Sequence, residues 1–191
     1  MTVYSSTPQA VTVGPSGRAV AQPMDASLLE ALQQHLTMER RASAAYFALA
    51  IWCSERELRG FARHFGAEAA GEQQHAAIFA DYLISRGQTV VLEDVPAPRQ
   101  QWVSLEEILS AVFLMEADVT TSLQQLDAMA ERAGDVRTAV FLDPMVAGQL
   151  ASENEAAHLL GRVRLSQNQP AALLILDAEL AAGKPAPATL V

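Results

Sequence analysis

Four segments of the sequence place a glutamate where the surrounding spacing predicts a buried helix face. Glu72 and His75 are three residues apart, so a helix presents this carboxylate and this imidazole on one side. Carboxylate oxygens with one imidazole suit iron, manganese or zinc, and a bridging carboxylate favours two ions side by side. The residues predicted to meet near mid-helix and hold such a pair are Glu39, Glu72, His75, Glu116 and Glu153.

Burial of these acids is hard to explain without a cation. A buried carboxylate without a partner costs several kcal/mol or takes up a proton, and four of them together repel one another. No lysine or arginine lies on the same apolar stripes to offset their charge. A lone glutamate on such a stripe would usually be a boundary residue that reaches water, but the coincidence on four helices favours a dimetal site.

Two further residues are candidates for the same site. Tyr46 lies two helical turns after Glu39, either as a core aromatic or as a hydroxyl that bonds a ligating carboxylate or acts in redox chemistry. Glu68, one turn before Glu72, is a candidate further ligand or a staging carboxylate for incoming ions.

The fourth segment offers two alternatives. The apolar stripe that contains Glu153 favours that residue as the ligand. Glu155 and His158 form a rival Glu-x-x-His motif, and Glu155 lies about 200° around the helix from Glu153, so both cannot point inward. The rival stripe is more polar, so Glu153 is the predicted ligand, and His35 and His64 are predicted at the surface or an interface. The predicted buried stripe of this segment is Val146, Leu150, Glu153, Ala157 and Leu160.

Four long helices and a short fifth must position these residues. Helical spacing between Pro/Gly-rich breaks predicts them over residues 25–55, 57–86, 104–133, 135–165 and 170–183. Asp25, Ser104 and Asp135 are predicted caps, and Pro144 should kink the fourth helix or delay its start. A connection of about sixteen residues separates the second and third helices, long enough to run the length of a bundle. The fold class is therefore all-α, a four-helix bundle with one long crossover connection.

Composition narrows the class of protein. The 191 residues carry a formal net charge of -9, which argues against nucleic acid as a partner. No apolar run approaches the roughly 20 residues of a membrane span, and residues 1–22 do not have the pattern of a secretory signal. The single cysteine, Cys53, is compatible with a reducing cytoplasm, where we expect the protein.

Three stretches resemble the ferritins, over about residues 22–182. "LTMERRASAAYFALA" is similar to the first-helix motif, and "GFARHFGAEAAGEQQHAAIFADYLISRGQTVVLEDVPAP" is similar to the second helix and crossover. "FLMEADVTTSLQQL" is similar to the third-helix motif. The resemblance is to non-haem ferroxidase ferritins of the animal H-type or bacterial type. It implies a ferritin-like di-iron domain over 23–183, followed by a tail over 184–191. Residues 1–22 have no clear counterpart in the family, and their Ser, Thr, Pro and Gly content predicts an extended or disordered arm.

The resemblance implies an iron-storage ferroxidase. Two Fe(II) would bind, one held by Glu39, Glu72 and His75, the other by Glu72, Glu116 and a fourth-helix carboxylate. O2 would oxidise them, and the ferric product would be stored as mineral in a hollow homo-oligomeric shell of twenty-four subunits. The short fifth helix is similar to one that lines fourfold channels, and Asp143 is placed like acids of threefold channels.

Departures from the family pattern and two alternatives accompany this prediction. Gly71 replaces an acid common just before the bridging glutamate, and Glu153 stands where animal ferroxidase subunits have glutamine. Gln73 stands where haem-binding relatives have methionine, so no haem is expected. The alternatives are a mineral-nucleating structural subunit without oxidase activity and a carboxylate-bridged di-iron oxygenase or peroxidase.

Overall fold

The described part of the protein, residues 11–183 of a computed structural model, folds into five α-helices. The predictions for residues 1–10 and for the tail over 184–191 lie outside the described residues. The helices are α1 (Ala26–Ser54), α2 (Arg59–Ser85), α3 (Leu105–Arg132), α4 (Val136–Ser166) and α5 (Pro170–Ala181). The predicted all-α bundle with a short fifth helix is confirmed.

Three of the long helices begin at the predicted caps. The Asp25 side chain accepts hydrogen bonds from the backbone N–H groups of Ser27 and Leu28. The Ser104 hydroxyl accepts from the N–H of Glu107, and Asp135 accepts from that of Thr138. These side chains satisfy N–H groups that a helix start leaves without intrahelical partners.

The start of α2 is capped from a distance. Its own N-cap residue makes no side-chain hydrogen bond. Instead, Asp177 of α5 accepts from the N–H groups of Gly60 and Phe61 at 2.8 and 2.9 Å. A Cβ at Gly60 would lie 1.8 Å from the Asp177 carbonyl oxygen, so glycine is what allows this close approach. The fifth helix is thereby attached to the base of the bundle.

The long connection between α2 and α3 has no regular secondary structure, so the short β-like centre that its sequence suggests does not form a strand. It lies against α1, where Arg40 donates to the Glu93 carbonyl at 2.7 Å and the Val91 N–H donates to Gln33 Oε1 at 2.6 Å. Near the amino terminus, the described part of the predicted arm packs on the end of α2, where the Ser16 hydroxyl donates to the Gly87 carbonyl.

Two hydrophobic clusters form the core, and the acids lie between them. One cluster contains Tyr46 of α1 and Val112 of α3, and the other contains Leu36 and Val119 of the same two helices. Glu39, Glu72 and Glu116 fall between the members of the two clusters along their helices, and all three are buried. The apolar core therefore brackets a polar layer at mid-bundle, as the spacing predicts.

The predicted buried face of α4 is confirmed at Leu160 but is wrong at Val146, Leu150 and Ala157. Leu150 is 72% exposed and Val146 is 42% exposed, although both were expected inside. The helix instead buries Thr138, Leu142, Gln149, Ala156, Leu159, Leu160 and Val163. The helix begins at Val136, directly after the Asp135 cap, and continues through Pro144. The delayed start that Pro144 could have caused does not occur. Apolar residues on both faces of α4 left the sequence without a clear amphipathic signal.

Among the described residues, no helix combines the length and the apolar character needed to cross a membrane.

Candidate metal centre

Glu39, Glu72 and His75 form the tightest group of possible metal ligands in the described residues. One ligand atom from each lies within 4.8 Å of the others. Glu39 comes from α1, and Glu72 and His75 come from one turn of α2. The two carboxylates are buried, whereas the His75 side chain is 40% exposed. The structure thus brings together three of the predicted site residues.

The polar contacts in this group leave one oxygen for a cation. His75 Nδ1 lies 2.8 Å from Glu72 Oε2, at hydrogen-bond distance. Glu39 Oε2 is buried and has no hydrogen-bond partner in the described residues. A buried carboxylate oxygen is costly to leave without a partner, so the group fits a divalent cation on this observation.

The pKa shifts in this group are in the direction that a bound cation would oppose. Burial raises the pKa of both Glu39 and Glu72 above the usual range for glutamate. The hydrogen bond to Glu72 raises the pKa of His75. Without a cation, this environment favours protonation of the ligands, and a bound divalent ion reverses that preference by favouring the ionised carboxylates.

Glu116 of α3 is buried beside this group and is already hydrogen-bonded at both oxygens. The Tyr46 hydroxyl donates to Oε1. The Gln149 side-chain amide donates to Oε2 at 2.8 Å and to the Glu116 carbonyl at 3.1 Å. Burial raises the pKa of Tyr46, so its hydroxyl stays protonated as a donor. Tyr46 is therefore a core aromatic whose hydroxyl bonds a candidate ligand, and its role in redox chemistry stays a prediction.

A cavity of about 230 Å³ opens beside Glu116. Its polar lining comes from Tyr46, His64, Glu68, Glu116, Ser152 and Glu155. Burial, followed by the charges of Glu72 and Glu116, raises the pKa of Glu68 to about 7. Burial lowers the pKa of His64, which lines the cavity, whereas the sequence predicts it at the surface or an interface. The cavity gives Glu68 access to the site, in keeping with a staging carboxylate.

The two candidate acids of α4 are placed differently. Glu155 lines the cavity beside Glu116. Glu153 is half-buried on the flank toward α3, where its Oε2 accepts a hydrogen bond from Thr120 at 2.9 Å. Val146 and Leu150, which lie on the stripe that favoured Glu153, are exposed, so this stripe no longer favours Glu153 over Glu155. The ligand role of each residue stays a prediction.

Two residues that contact the candidate ligands were not predicted from the sequence. Gln149, the donor to Glu116, lies on the true buried face of α4, which the periodicity misassigned. The sequence predicts His35 at the surface or an interface, but it is only 1% exposed within this one chain. Its Nε2 lies 2.9 Å from Glu39 Oε1, and burial lowers its pKa to about 4, so the imidazole is neutral. The available signal was its place one turn before Glu39, between Leu32 and Leu36.

Comparison with known proteins assigns the family. The family model of the ferritin-like domain matches residues 29–166, which is well over half of the chain. A bacterial non-heme ferritin of Staphylococcus haemolyticus is 31% identical over 127 residues, covering 66% of this chain and 76% of that protein. A probable bacterial non-heme ferritin-like protein of Haemophilus influenzae is 23% identical, with coverages of 81% and 93%.

A solved structure agrees with these relatives. The open-pore ferritin of the hyperthermophilic archaeon Archaeoglobus fulgidus superimposes with a TM-score of 0.81 and 29% sequence identity. The match covers 83% of this chain and 98% of the archaeal one. With a bundle of this form and a carboxylate and histidine group at its centre, the chain belongs to the ferritin family.

Proposed function

We propose that this ferritin oxidises Fe(II) with O2 at a dimetal site inside its own helix bundle and stores the ferric product. The observation that carries the proposal is the group of Glu39, Glu72 and His75, with Glu39 Oε2 buried and without a hydrogen-bond partner among residues 11–183. A family member that only stored iron would not need a desolvated, ligand-rich group at mid-bundle. The family membership supports iron as the substrate cation.

The first Fe(II) would bind between α1 and α2. Glu39 supplies Oε2, and the cation takes the place of the proton shared between Glu72 and His75 Nδ1. Two hard oxygen donors with one imidazole suit Fe(II). Entry past His75 is favoured because its side chain is the exposed member of the group.

The second Fe(II) would bind between Glu72 and Glu116, with Glu72 as the bridge. Each carboxylate oxygen has two lone pairs, so Glu116 can accept from Tyr46 or Gln149 and still bind a cation. The remaining ligand comes from α4. Glu155 lines the cavity beside Glu116, which supports it as this ligand. Glu153, predicted from the sequence, lies on the flank toward α3, where its Oε2 accepts a hydrogen bond from Thr120.

The reaction is a two-electron oxidation. Each Fe(II) gives up one electron, and O2 takes both electrons with two protons to form hydrogen peroxide. The neighbouring iron ions make the two electrons available together. Glu68, which borders the cavity, is placed to receive cations or products that leave the site. The ferric ions then hydrolyse and join a mineral.

Storage requires an enclosed space, and we propose a homo-oligomeric shell of twenty-four subunits in the cytoplasm. Supporting this are the family membership and the relative described as an open-pore ferritin. In such a shell, the fifth helix would line the fourfold channels and Asp143 the threefold channels, as the family resemblance implies. The expected absence of haem rests on Gln73 and stays a prediction.

Stopped-flow oxidation tests the dimetal site. Apoprotein would be loaded anaerobically with Fe(II), mixed with O2, and followed by absorbance. We expect a fast phase that saturates near about two irons per subunit. Glu72→Gln should abolish it because the shared ligand loses its charge, whereas Asp81→Asn, an exposed acid of the same helix, should leave it intact.

The other outcomes separate the alternatives. No fast phase in the wild type would contradict the ferroxidase, and mineral growth without it would support a nucleating structural subunit. A fast phase without retained iron in a shell would instead support a di-iron oxygenase or peroxidase. Size-exclusion chromatography with light scattering supplies the subunit count that the storage proposal needs.

A further inference from the structure

One imidazole at the metal centre has no place in the predicted ligand set. His35 lies on α1, one helical turn before Glu39. Its Nδ1 is 2.8 Å from the Ser122 hydroxyl of α3, and its Nε2 is 2.9 Å from Glu39 Oε1. The imidazole ring also packs on Phe79 of α2, with ring centroids 4.5 Å apart. Contacts to three helices therefore restrict its movement.

Burial makes these polar contacts matter. The side chain of His35 is shielded from solvent, so neither nitrogen can turn to water for a partner. Ser122 meets the need of Nδ1. For Nε2, the close polar neighbour in the described residues is the Glu39 carboxylate, and the contact lacks only the alignment of a hydrogen bond.

The contact makes the two oxygens of Glu39 inequivalent. Oε1 faces His35, and Oε2 is left without a partner among the described residues. An ionised carboxylate only accepts hydrogen bonds, so a bond at Oε1 requires the proton on Nε2. Nδ1 then accepts from the Ser122 hydroxyl. A chain from Ser122 through His35 thus ends at one oxygen of Glu39 and leaves the other for a cation.

We propose that His35 is a positioning residue that holds Glu39 as a ligand through Oε2 alone. The proposal rests on the dimetal function above, and it adds a residue that acts through Glu39 without binding the ion itself. Hydrogen bonds that orient a ligating group commonly change metal affinity by about 10- to 100-fold when removed. His35 would fill that role for the first metal site.

Anaerobic titration of the full-length apoprotein with Co(II), followed by its visible absorption, tests the proposal. His35→Leu removes both polar contacts and should weaken the first equivalent by about 10- to 100-fold. His35→Gln keeps a donor and an acceptor at similar reach and should restore affinity to within about threefold of wild type. Ser122→Ala should cause an intermediate loss of about threefold to tenfold, because it removes only the contact that fixes the tautomer.

Thr37→Val is the matched control, since Thr37 is also buried on α1 but its hydroxyl bonds only the Gln33 carbonyl among the contacts described. This variant should bind Co(II) like the wild type, and circular dichroism should show all variants folded. If His35→Leu bound as tightly as wild type, the proposal would be overturned. If His35→Gln were as weak as His35→Leu, His35 would act as a ligand or by shape, which also overturns it.

The failure of the proposed function is distinguishable from the failure of this inference. Co(II) binding is measured without O2, so a wild type that binds Co(II) but does not oxidise Fe(II) would remove the ferroxidase and leave the His35 effect readable. A wild type that does not bind Co(II) would overturn both. Normal oxidation with no effect of His35→Leu would overturn the positioning role alone.

Discussion

The two halves of the metal centre differ in how many of their polar atoms already have partners. On the α1–α2 half, Glu39 Oε2 is buried and has no such partner in the part of the chain that the structure describes. On the α3–α4 half, both oxygens of Glu116 are hydrogen-bonded, and Glu153 is bonded to Thr120. A cation on the first half would be the partner of an oxygen that accepts no hydrogen bond, whereas on the second half it would share oxygens that already accept hydrogen bonds. We therefore expect the α1–α2 site to bind its ion more tightly.

The largest effect should come from removing the free carboxylate of the α1–α2 half. Glu39→Gln should weaken the first Co(II) equivalent by about 100-fold or more, since loss of a ligand exceeds loss of a supporting hydrogen bond. Glu116→Gln should leave the first equivalent within a few-fold of wild type and weaken the second. Anaerobic Co(II) titration resolves the two equivalents by their absorption.

The comparison fails if the two substitutions have the same effect. Equal weakening of both equivalents in Glu116→Gln would mean that the halves bind as one unit. Asp81→Asn, on the exposed side of α2, controls for the general loss of negative charge.

The next effect concerns the acids of α4. Glu155→Gln should weaken the second Co(II) equivalent by about tenfold, because Glu155 lines the cavity beside Glu116. Glu153→Gln should change it by no more than about twofold, since the glutamine can still accept the Thr120 hydrogen bond. Each variant is the control for the other, as both remove one charge from the same helix. The reverse order would restore the ligand predicted from the sequence.

The same division between halves marks what the sequence could predict. On α1, α2 and α3 the apolar spacing is regular, and Glu39, Glu72 and Glu116 are buried at mid-bundle as expected. The caps at Asp25 and Ser104 were also predicted, because capping depends on local residues. Local spacing and local capping therefore account for the fold and for the burial of Glu39, Glu72 and Glu116.

The α4 contribution depends on which face the other helices cover, and spacing alone does not decide that. Leu150 is apolar and exposed, while Gln149 beside it is polar and buried because it bonds Glu116. His35 was misplaced for the same reason, since its burial depends on Ser122 of a different helix. Polar residues with partners distant in sequence look like surface residues until the partner is known.

The smallest expected effect is a pH dependence of stability that is caused by the titration of Glu68. Burial raises the pKa of Glu68 from 4.5 to about 7, so the folded state holds this proton more tightly than the unfolded chain. The stability that this proton contributes is present below pH 4.5 and is lost as the pH rises through about 7. Glu68→Gln does not undergo this loss. Its Tm should therefore gain on that of the wild type between these pH values, in chelator-treated protein.

The expected gain is about 1 to 3 °C, because Glu68 is partly exposed and solvent weakens the effect. His35 and His64 titrate in part of the same range with the opposite sign, since burial lowers the pKa of both. Their contribution is common to the two proteins and largely cancels in the difference. A Tm difference that stays constant with pH would mean that Glu68 titrates like a surface acid. The cavity would then be too well hydrated to desolvate its lining, which would weaken the case for Glu155 as well.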